Sequence, residues 1–326
     1  MAIAPSLNQL AEAKSLPAWS SWKNGKPAGY FELPMTQQSV DFYQENGFLV
    51  IENGISKEEI EELRNEALEI CKGHRGTVGG VTEPGKNETD DDIMRRYLCI
   101  HFPHKISGVM LKYLAHKSFQ DVVTKIISPN VKCMQSMLFI KASGKPGQAW
   151  HQDEIYIPTR DRSLTGGWIA LDDATVENGC LWVIPGSQKR GVLYELEWHN
   201  DKRFDCSHEA RGFSYTNDDA VPVEVRAGSI VFFNGYLLHR SLPNYASSGF
   251  RRSLVNHYMS AESLLPWYYR DLPEDKSVGN ADCRDVIMVA GSDPYEWKGT
   301  IQRHGAHVRP SGEGGCGYAE NNEVPE

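Results

Sequence analysis

The chain has few cysteines, no long apolar run and no excess of positive charge. Its seven cysteines lie far apart and form no CxxC pair. An odd number at such spacing predicts neither a zinc site nor a disulfide framework, and we expect a reducing, cytoplasmic location. No run of about 18 apolar residues occurs, and the first residues lack an apolar signal core, so we expect neither a membrane span nor a secretory signal.

The charge balance limits the possible partners. The net charge is −9 over 326 residues. Because a protein that binds phosphate backbones or anionic lipids needs a basic surface, neither nucleic acid nor membrane is an expected partner. The last residues, Glu-Val-Pro-Glu, are not a peroxisomal address of the Ser-Lys-Leu type. The sequence leaves both a monomer and a homodimer open.

Helical patterns precede residue 130. Ser56 and Glu59 form a capping box, which satisfies free amide groups at a helix start, and apolar residues then recur at helical spacing. Residues 107–115 and 118–127 have two further helical patterns. We therefore expect at least three helices in this part of the chain.

Short strands dominate the following part. Turn sequences rich in Gly, Pro and Asn separate six predicted strands, at residues 131–141, 167–171, 180–184, 221–225, 229–233 and 251–258. Helices followed by many short strands predict an α+β fold with a mainly β core. In such a fold the N-terminal helices pack on a β-sandwich or jelly roll.

We expect a single domain in four consecutive parts. These are an irregular N-terminal arm at residues 1–35, a helical support at 36–130, a β core at 131–260 and a C-terminal extension at 261–326. The polar stretch 195–219 interrupts the strands and is long for a structureless loop. We interpret it as a lid or binding loop.

The triplet His151-Gln-Asp153, followed much later by His239, indicates a metal site. Two imidazoles and one carboxylate can hold one face of an iron(II) ion and leave the other face open, which is the ligand set of non-haem iron oxygenases. On a strand, residues 151 and 153 point to the same side because side chains alternate. Alone, His239 is more often a hydrogen-bonded strand histidine, so the combination carries the prediction.

A second triplet of the same type has to be distinguished from the first. It is His199-Asn-Asp201, and charged residues with few strand signals surround it. The first triplet instead follows the apolar stretch 137–140. We therefore expect His199 and Asp201 to lie in a solvated loop.

Two adjacent arginines follow the last of these histidines. An arginine at this place can bind the carboxylate of an organic co-substrate with two hydrogen bonds. On an extended strand, Arg251 shares a face with Ser253, and Arg252 lies on the opposite face. Small Ser253 favours Arg251, but the sequence leaves the choice open. Three further histidines are expected to make structural hydrogen bonds: His101, His104 and His257.

Several sequence blocks together resemble a known family. They are Gln135 to Lys141, Trp150 to Asp153, Gly167 to Asp172, Glu177 to Ser187 and His239 to Ser241. Over residues 37–260 the chain resembles the phytanoyl-CoA dioxygenase-like branch of the iron(II)/2-oxoglutarate oxygenases. The C-terminal extension has no such resemblance.

This resemblance implies a double-stranded β-helix with an iron site at its open mouth. It implies that His151, Asp153 and His239 bind iron(II), and that Arg251, assisted by Ser241, binds the distal carboxylate of 2-oxoglutarate. It also implies that three more side chains lie beside the co-substrate: Gln135, Trp168 and Phe139. The implied activity uses dioxygen to hydroxylate an unactivated C–H bond of a small natural-product, amino-acid-derived or acyl substrate, and releases succinate and carbon dioxide.

Two other functions remain open. A non-catalytic jelly-roll binding module could retain the fold, although an intact triad with an arginine disfavours it. A zinc hydrolase could use the same ligands, but strand alternation points Glu154, the nearest candidate general base, away from them. Succinate release from 2-oxoglutarate, with and without iron, distinguishes the three functions.

Overall fold

A computed structural model of the protein describes residues 28–205, 208–263, 286–300 and 305–309. The α-helices within these ranges are α1 (Gln37–Asn46), α2 (Lys57–Cys71), α3 (Asp90–Arg95), α4 (Gly108–Leu114) and α5 (Lys117–Ile126). The strands are β1 (Tyr30–Phe31), β2 (Phe48–Ile51), β3 (Cys99–His101), β4 (Val131–Ala142), β5 (Gln148–His151), β6 (Thr165–Ala170), β7 (Leu181–Val183), β8 (Leu196–Trp198), β9 (His208–Ala210), β10 (Val221–Val223), β11 (Ile230–Asn234), β12 (His239–Ser241), β13 (Phe250–Ser260), β14 (Ile287–Ala290) and β15 (His307–Val308).

The strands form a large sheet, a smaller sheet and a hairpin. The large sheet has nine strands in the order β1-β2-β11-β6-β13-β4-β3-β15, with β14 also paired to β4. The smaller sheet has the order β10-β7-β12-β5, and β8 pairs with β9. Neighbouring strands are mostly antiparallel and come from distant parts of the chain, as in a jelly roll. The predicted α+β fold with a mainly β core is therefore confirmed.

Side-chain alternation gives the large sheet two different faces. On β11, Ile230 and Phe232 pack in the core layer that contains the helices. Val231 and Phe233 pack in a second core layer, which contains the smaller sheet. This is the alternation expected of a strand buried on both sides. The inner face of the large sheet, the one toward the smaller sheet, carries the site described below.

The helix predicted at Ser56 is present. The Glu59 N–H donates to the Ser56 hydroxyl at 3.2 Å, and the Ser56 N–H donates to the Glu59 carboxylate at 3.0 Å. Ile60 and Leu63 of this helix are buried in the core layer between helices and sheet. The helices therefore support the large sheet from outside. No helix in the described ranges is long and apolar enough to span a bilayer.

Three segments are more regular than their sequence predicts. Within the expected irregular arm, β1 pairs with β2, while residues 1–27 lie outside the described ranges. The stretch 195–219 contains the β8–β9 hairpin, and the Gly147 N–H donates to Arg203 O at 2.8 Å, which joins this stretch to the start of β5. The extension adds β14 and β15 to the large sheet. These short strands are formed by backbone pairing with distant residues, which a local pattern does not show.

Candidate active site

His151 and Asp153 lie at the end of the short strand β5. The strand ends at His151, and Asp153 begins a short 3-10 helix. Gln152 itself is extended (φ −129°, ψ 127°) and the chain turns only after it, at Asp153, so the predicted alternation from His151 to Asp153 holds although the strand ends at His151. The buried Gln152 amide fixes this turn by donating to Val192 O at 2.9 Å and to Tyr236 O at 2.8 Å.

His239 lies beside this turn, on the neighbouring strand of the smaller sheet. It pairs in register with His151. The Nε2 atoms of both histidines lie 3.5 Å from Asp153 Oδ1. One ligand atom from each of the three residues lies within 4.8 Å of the others. The structure thus brings the three predicted metal ligands together.

The backbone fixes the proton position on both imidazoles. His151 Nδ1 lies 2.8 Å from Ala149 O, and His239 Nδ1 lies 3.0 Å from Leu237 O. Since a carbonyl oxygen only accepts, each Nδ1 must carry the proton. Each Nε2 therefore keeps its lone pair toward Asp153, which is the usual arrangement of metal-binding histidines.

Burial and neighbouring groups shift the pKa of His151 and of Asp153. Burial lowers the pKa of His151 to about 4, and His239 adds to the effect, so His151 is neutral near pH 7. Burial by itself would raise the pKa of Asp153, but His239 and the hydrogen-bonded His257 outweigh it and lower this pKa. With both Nδ1 protons directed at carbonyl oxygens, the donor set is two Nε2 atoms and one carboxylate, which fits iron(II).

Arg251 lies on the inner face of β13 and is 3% exposed. Its Nε donates to Gly179 O and its Nη1 to Ser253 Oγ, both at 3.2 Å. Its guanidinium lies 5.5 Å from the centre of the Trp168 ring. Burial lowers the pKa of Arg251 to about 10, so the side chain stays charged near neutral pH. No carboxylate in the described ranges forms an ion pair with it, and a buried cation without a counter-charge indicates a site for an anionic ligand.

Arg252 is engaged elsewhere. Its Nε and Nη2 donate to the two oxygens of Asp172 at 2.8 and 2.7 Å, and its backbone N–H donates to the same carboxylate at 2.8 Å. The alternation predicted for the two arginines is therefore present. This geometry favours Arg251 as the residue that binds a co-substrate carboxylate.

Ser241 and a buried lysine lie behind Arg251. Lys141 is 2% exposed, and its Nζ donates to Ser241 Oγ at 2.9 Å, to Leu242 O at 2.7 Å and to Gly179 O at 3.3 Å. Gly179 O thus accepts from both Lys141 and Arg251. Gly179 has a φ of +84°, and a Cβ there would lie 2.4 Å from Leu242 O, so no other residue fits. Lys141 therefore connects the predicted hydroxyl and the predicted guanidinium.

All eight predicted site residues line one cavity of about 370 Å³. They are Gln135, Phe139, His151, Asp153, Trp168, His239, Ser241 and Arg251. Much of the remaining wall is apolar or aromatic, including Phe102, Met137, Tyr156 and Leu181. A concave, mainly apolar space with a few directed polar groups is typical of a small-molecule site.

Several polar residues of this cavity were not predicted to belong to a site, among them His257, His307 and Arg309. His257, expected to make a structural hydrogen bond, lies 3.1 Å from Asp153 Oδ2 through its Nε2. His307 and Arg309 reach the cavity because β15 pairs with β3, and Arg309 forms a buried ion pair with Asp205. Alternation from Arg251 already placed His257 on the inner face. The two-residue strand β15 has no local pattern that could have predicted its place.

The second histidine triplet lies away from this cavity. The Asp201 N–H donates to His199 Nδ1 at 3.1 Å. The Asp201 carboxylate accepts from the guanidinium of Arg203 at 2.7 Å. Neither His199 nor Asp201 lines the cavity. The two residues lie in a loop, as expected.

Solved structures with the same fold include oxygenases. The non-heme monooxygenase ThoJ matches with a TM-score of 0.59 and 18% identity, covering 83% of this chain and 88% of that one. EctD from S. alaskensis, solved with 2-oxoglutarate and 5-hydroxyectoine, matches with a TM-score of 0.55 and 19% identity, covering 77% and 82%. At these identities the likeness shows a common fold.

Sequence comparison is more specific. The family described as phytanoyl-CoA dioxygenase (PhyH) matches residues 43–253. The phytanoyl-CoA dioxygenase of Arabidopsis thaliana is 30% identical over 244 residues, which cover 65% of this chain and 85% of that protein. The matched region contains every residue of the predicted site. The chain therefore belongs to the phytanoyl-CoA dioxygenase family.

Proposed function

We propose that this family member, a non-haem iron(II)- and 2-oxoglutarate-dependent dioxygenase, hydroxylates an unactivated C–H bond of a small molecule. One observation carries the proposal. The three-residue ligand set lines the same cavity as the buried guanidinium of Arg251, which has no ion-pair partner in the described ranges. The three ligand residues can bind a metal, and the guanidinium can bind an anion beside it.

Each residue has a definite task in this reaction. When bound, iron(II), 2-oxoglutarate and dioxygen together supply the oxidising power that converts C–H to C–OH, with release of succinate and carbon dioxide. His151, Asp153 and His239 would hold the metal. Arg251 would pair with the distal carboxylate of 2-oxoglutarate, and Ser241 would add a hydroxyl contact. The apolar wall excludes water and orients the substrate.

The cavity limits the substrate to a small molecule. Its volume of about 370 Å³ has to hold the co-substrate as well. The wall away from Arg251 combines aromatic residues such as Phe102 and Tyr156 with polar His101, His307 and Arg309. We infer a mainly apolar substrate with at least one polar group, which agrees with a natural-product, amino-acid-derived or acyl compound.

Location and domain organisation are proposals too. We propose a cytoplasmic enzyme, because the four described cysteines are free thiols: Cys71, Cys99, Cys133 and Cys180. We also propose a single domain, and the pairing of β14 and β15 with β4 and β3 supports it. In this domain, the helices of residues 36–130 support the β core at 131–260 from outside, and β2 and β3 of the same range extend the large sheet.

Succinate release tests the proposed function. Metal-free protein is incubated with 2-oxoglutarate, dioxygen and a mixture of cellular small molecules, with iron(II), with zinc(II) or without metal. We expect succinate above background in the incubation with iron(II), and only background in those with zinc(II) or without metal. Binding of iron(II) and 2-oxoglutarate without any succinate would identify a binding module instead, and hydrolysis dependent on zinc(II) would identify a hydrolase.

A mutation behind Arg251 separates binding of the co-substrate from catalysis. Lys141→Met removes the donor that holds Ser241 and Gly179 O. Because a hydrogen bond contributes about 0.5–1.5 kcal/mol and the change removes more than one of them, we expect the KM for 2-oxoglutarate to rise about tenfold, with a smaller change in kcat. Steady-state kinetics measures both. Lys112→Met, at an exposed ion pair with Glu62, is the control and should leave both constants unchanged. An unchanged KM in Lys141→Met would show that Lys141 does not position the co-substrate.

A further inference from the structure

The two carboxylate oxygens of Asp153 have different partners. Oδ1 lies 3.5 Å from the Nε2 atoms of His151 and His239. Oδ2 lies 3.1 Å from Nε2 of His257. Because a carboxylate oxygen accepts, His257 Nε2 must carry the proton in this contact. Asp153 and His257 are 8% and 4% exposed, so water does not readily replace either partner.

The neighbouring strands hold the His257 ring in place. His257 pairs with Gln135 on β4 and with Gly166 on β6. A Cβ at Gly166 would lie 2.4 Å from the ring of Phe233, and this ring lies 4.8 Å from that of His239. The absence of a side chain at Gly166 therefore lets Phe233 pack between β6 and a metal-binding histidine. The strands on both sides of β13 therefore hold His257 in place relative to the metal ligands.

The second ring nitrogen of His257 argues against a purely structural role. His257 Nδ1 is buried and has no hydrogen-bond partner in the described ranges. With the proton on Nε2, Nδ1 is an unpaired acceptor, which lowers the stability of the fold. Within the described ranges, the contact with Asp153 is therefore the one hydrogen bond of this imidazole ring.

We propose that His257 is a positioning residue that occupies Asp153 Oδ2, so that only Oδ1 is offered to the metal. The proposal rests on the proposed function, because iron(II) is the ion to be held. A carboxylate that binds through both oxygens uses one more coordination position. A three-residue ligand set works by leaving three positions for co-substrate and dioxygen. His257 would preserve that number through its hydrogen bond to Asp153 Oδ2.

Three variants at one position test this role. His257→Leu removes the donor. His257→Gln places an amide N–H near the position of Nε2, and His257→Asn is polar but too short to reach Oδ2. Anaerobic titration of the full-length, metal-free protein with iron(II) gives the dissociation constant. The absorption spectrum with cobalt(II) reports the coordination geometry, and the melting temperature without metal reports the fold.

We expect the glutamine variant to bind iron(II) nearly as well as the unaltered protein. The leucine and asparagine variants should bind about 10- to 100-fold more weakly, the range found for residues that orient metal ligands, and should show altered cobalt spectra. The leucine variant without metal should melt lower than the glutamine variant, because it leaves the buried Asp153 Oδ2 without a donor.

The outcomes separate this proposal from the proposed function. Equal iron(II) affinity and equal cobalt spectra in the unaltered protein and the leucine variant would overturn the positioning role alone. A glutamine variant as weak as the leucine variant would do the same. If the leucine variant does not fold, the glutamine and asparagine variants decide by the same criterion. If the unaltered protein binds neither metal, the proposed function fails and this proposal fails with it.

Discussion

Replacing Asp153 with alanine is expected to abolish both iron(II) binding and the iron-dependent decay of 2-oxoglutarate. The carboxylate is the one acidic ligand beside two imidazoles, with Oδ1 at 3.5 Å from each Nε2. Its loss leaves two ligands for a divalent ion and also removes the acceptor of His257 Nε2. His151→Ala should also abolish both, because it too leaves only two ligands. Anaerobic calorimetry measures the binding, and succinate formation measures the turnover.

The second triplet supplies the control for this experiment. His199→Ala changes a histidine that accepts from the Asp201 N–H and lies outside the cavity. Its iron(II) affinity and turnover should equal those of the unaltered protein. Iron(II) binding that survives Asp153→Ala and is lost in His199→Ala would show that the metal binds at the second triplet and that our assignment is wrong.

Replacing Arg251 with alanine is expected to raise the KM for 2-oxoglutarate about ten- to a hundredfold. This range corresponds to about 1.5–3 kcal/mol for a hydrogen bond to a charged group. Arg251→Lys keeps the charge but loses the planar pair of donors, so it should recover little of the affinity. The melting temperature of Arg251→Ala should not fall, because the guanidinium is buried without a carboxylate partner. Steady-state kinetics measures the KM for 2-oxoglutarate, and thermal unfolding measures the melting temperature.

The neighbouring arginine should behave in the opposite way. Arg252→Ala breaks the two-point contact with Asp172, at 2.8 and 2.7 Å, whose side chains are 14% and 15% exposed. We expect a loss of about 1.5–3 kcal/mol in the free energy of unfolding and little change in the KM for 2-oxoglutarate. A larger KM effect in Arg252→Ala than in Arg251→Ala would place the carboxylate contact on the other face of the strand.

Period-two alternation made much of the site predictable from sequence. It separated Arg251 from Arg252 and placed His257 on the same side as Arg251, as the structure has them. The rule also held for Asp153, because Gln152 stays extended after the strand ends at His151. The sequence pattern did not predict the short 3-10 helix that begins at Asp153.

Other parts of the site depend on distant pairings that no local pattern encodes. Arg309 reaches the cavity because β15 lies beside β3, some 200 residues earlier in the chain (His307 opposite His101). The role of Lys141 depends on three acceptors that come from two other turns. In isolation, a lysine in a strand indicates a solvent-exposed charge. Only the assembled sheets show that Lys141 is buried behind Arg251.

The central place of β13 in the large sheet restricts how this protein can change over evolutionary time. The strand lies between β4 and β6, and its inner face presents Arg251 and His257 at even spacing. Substitutions can alter these side chains one by one. A deletion or insertion of a single residue between them would turn one of the two toward the helices, because a shift of one position reverses every side chain in a strand. Related sequences can therefore differ in the residues of β13 but should keep its length. Gaps in their alignments should fall outside this strand.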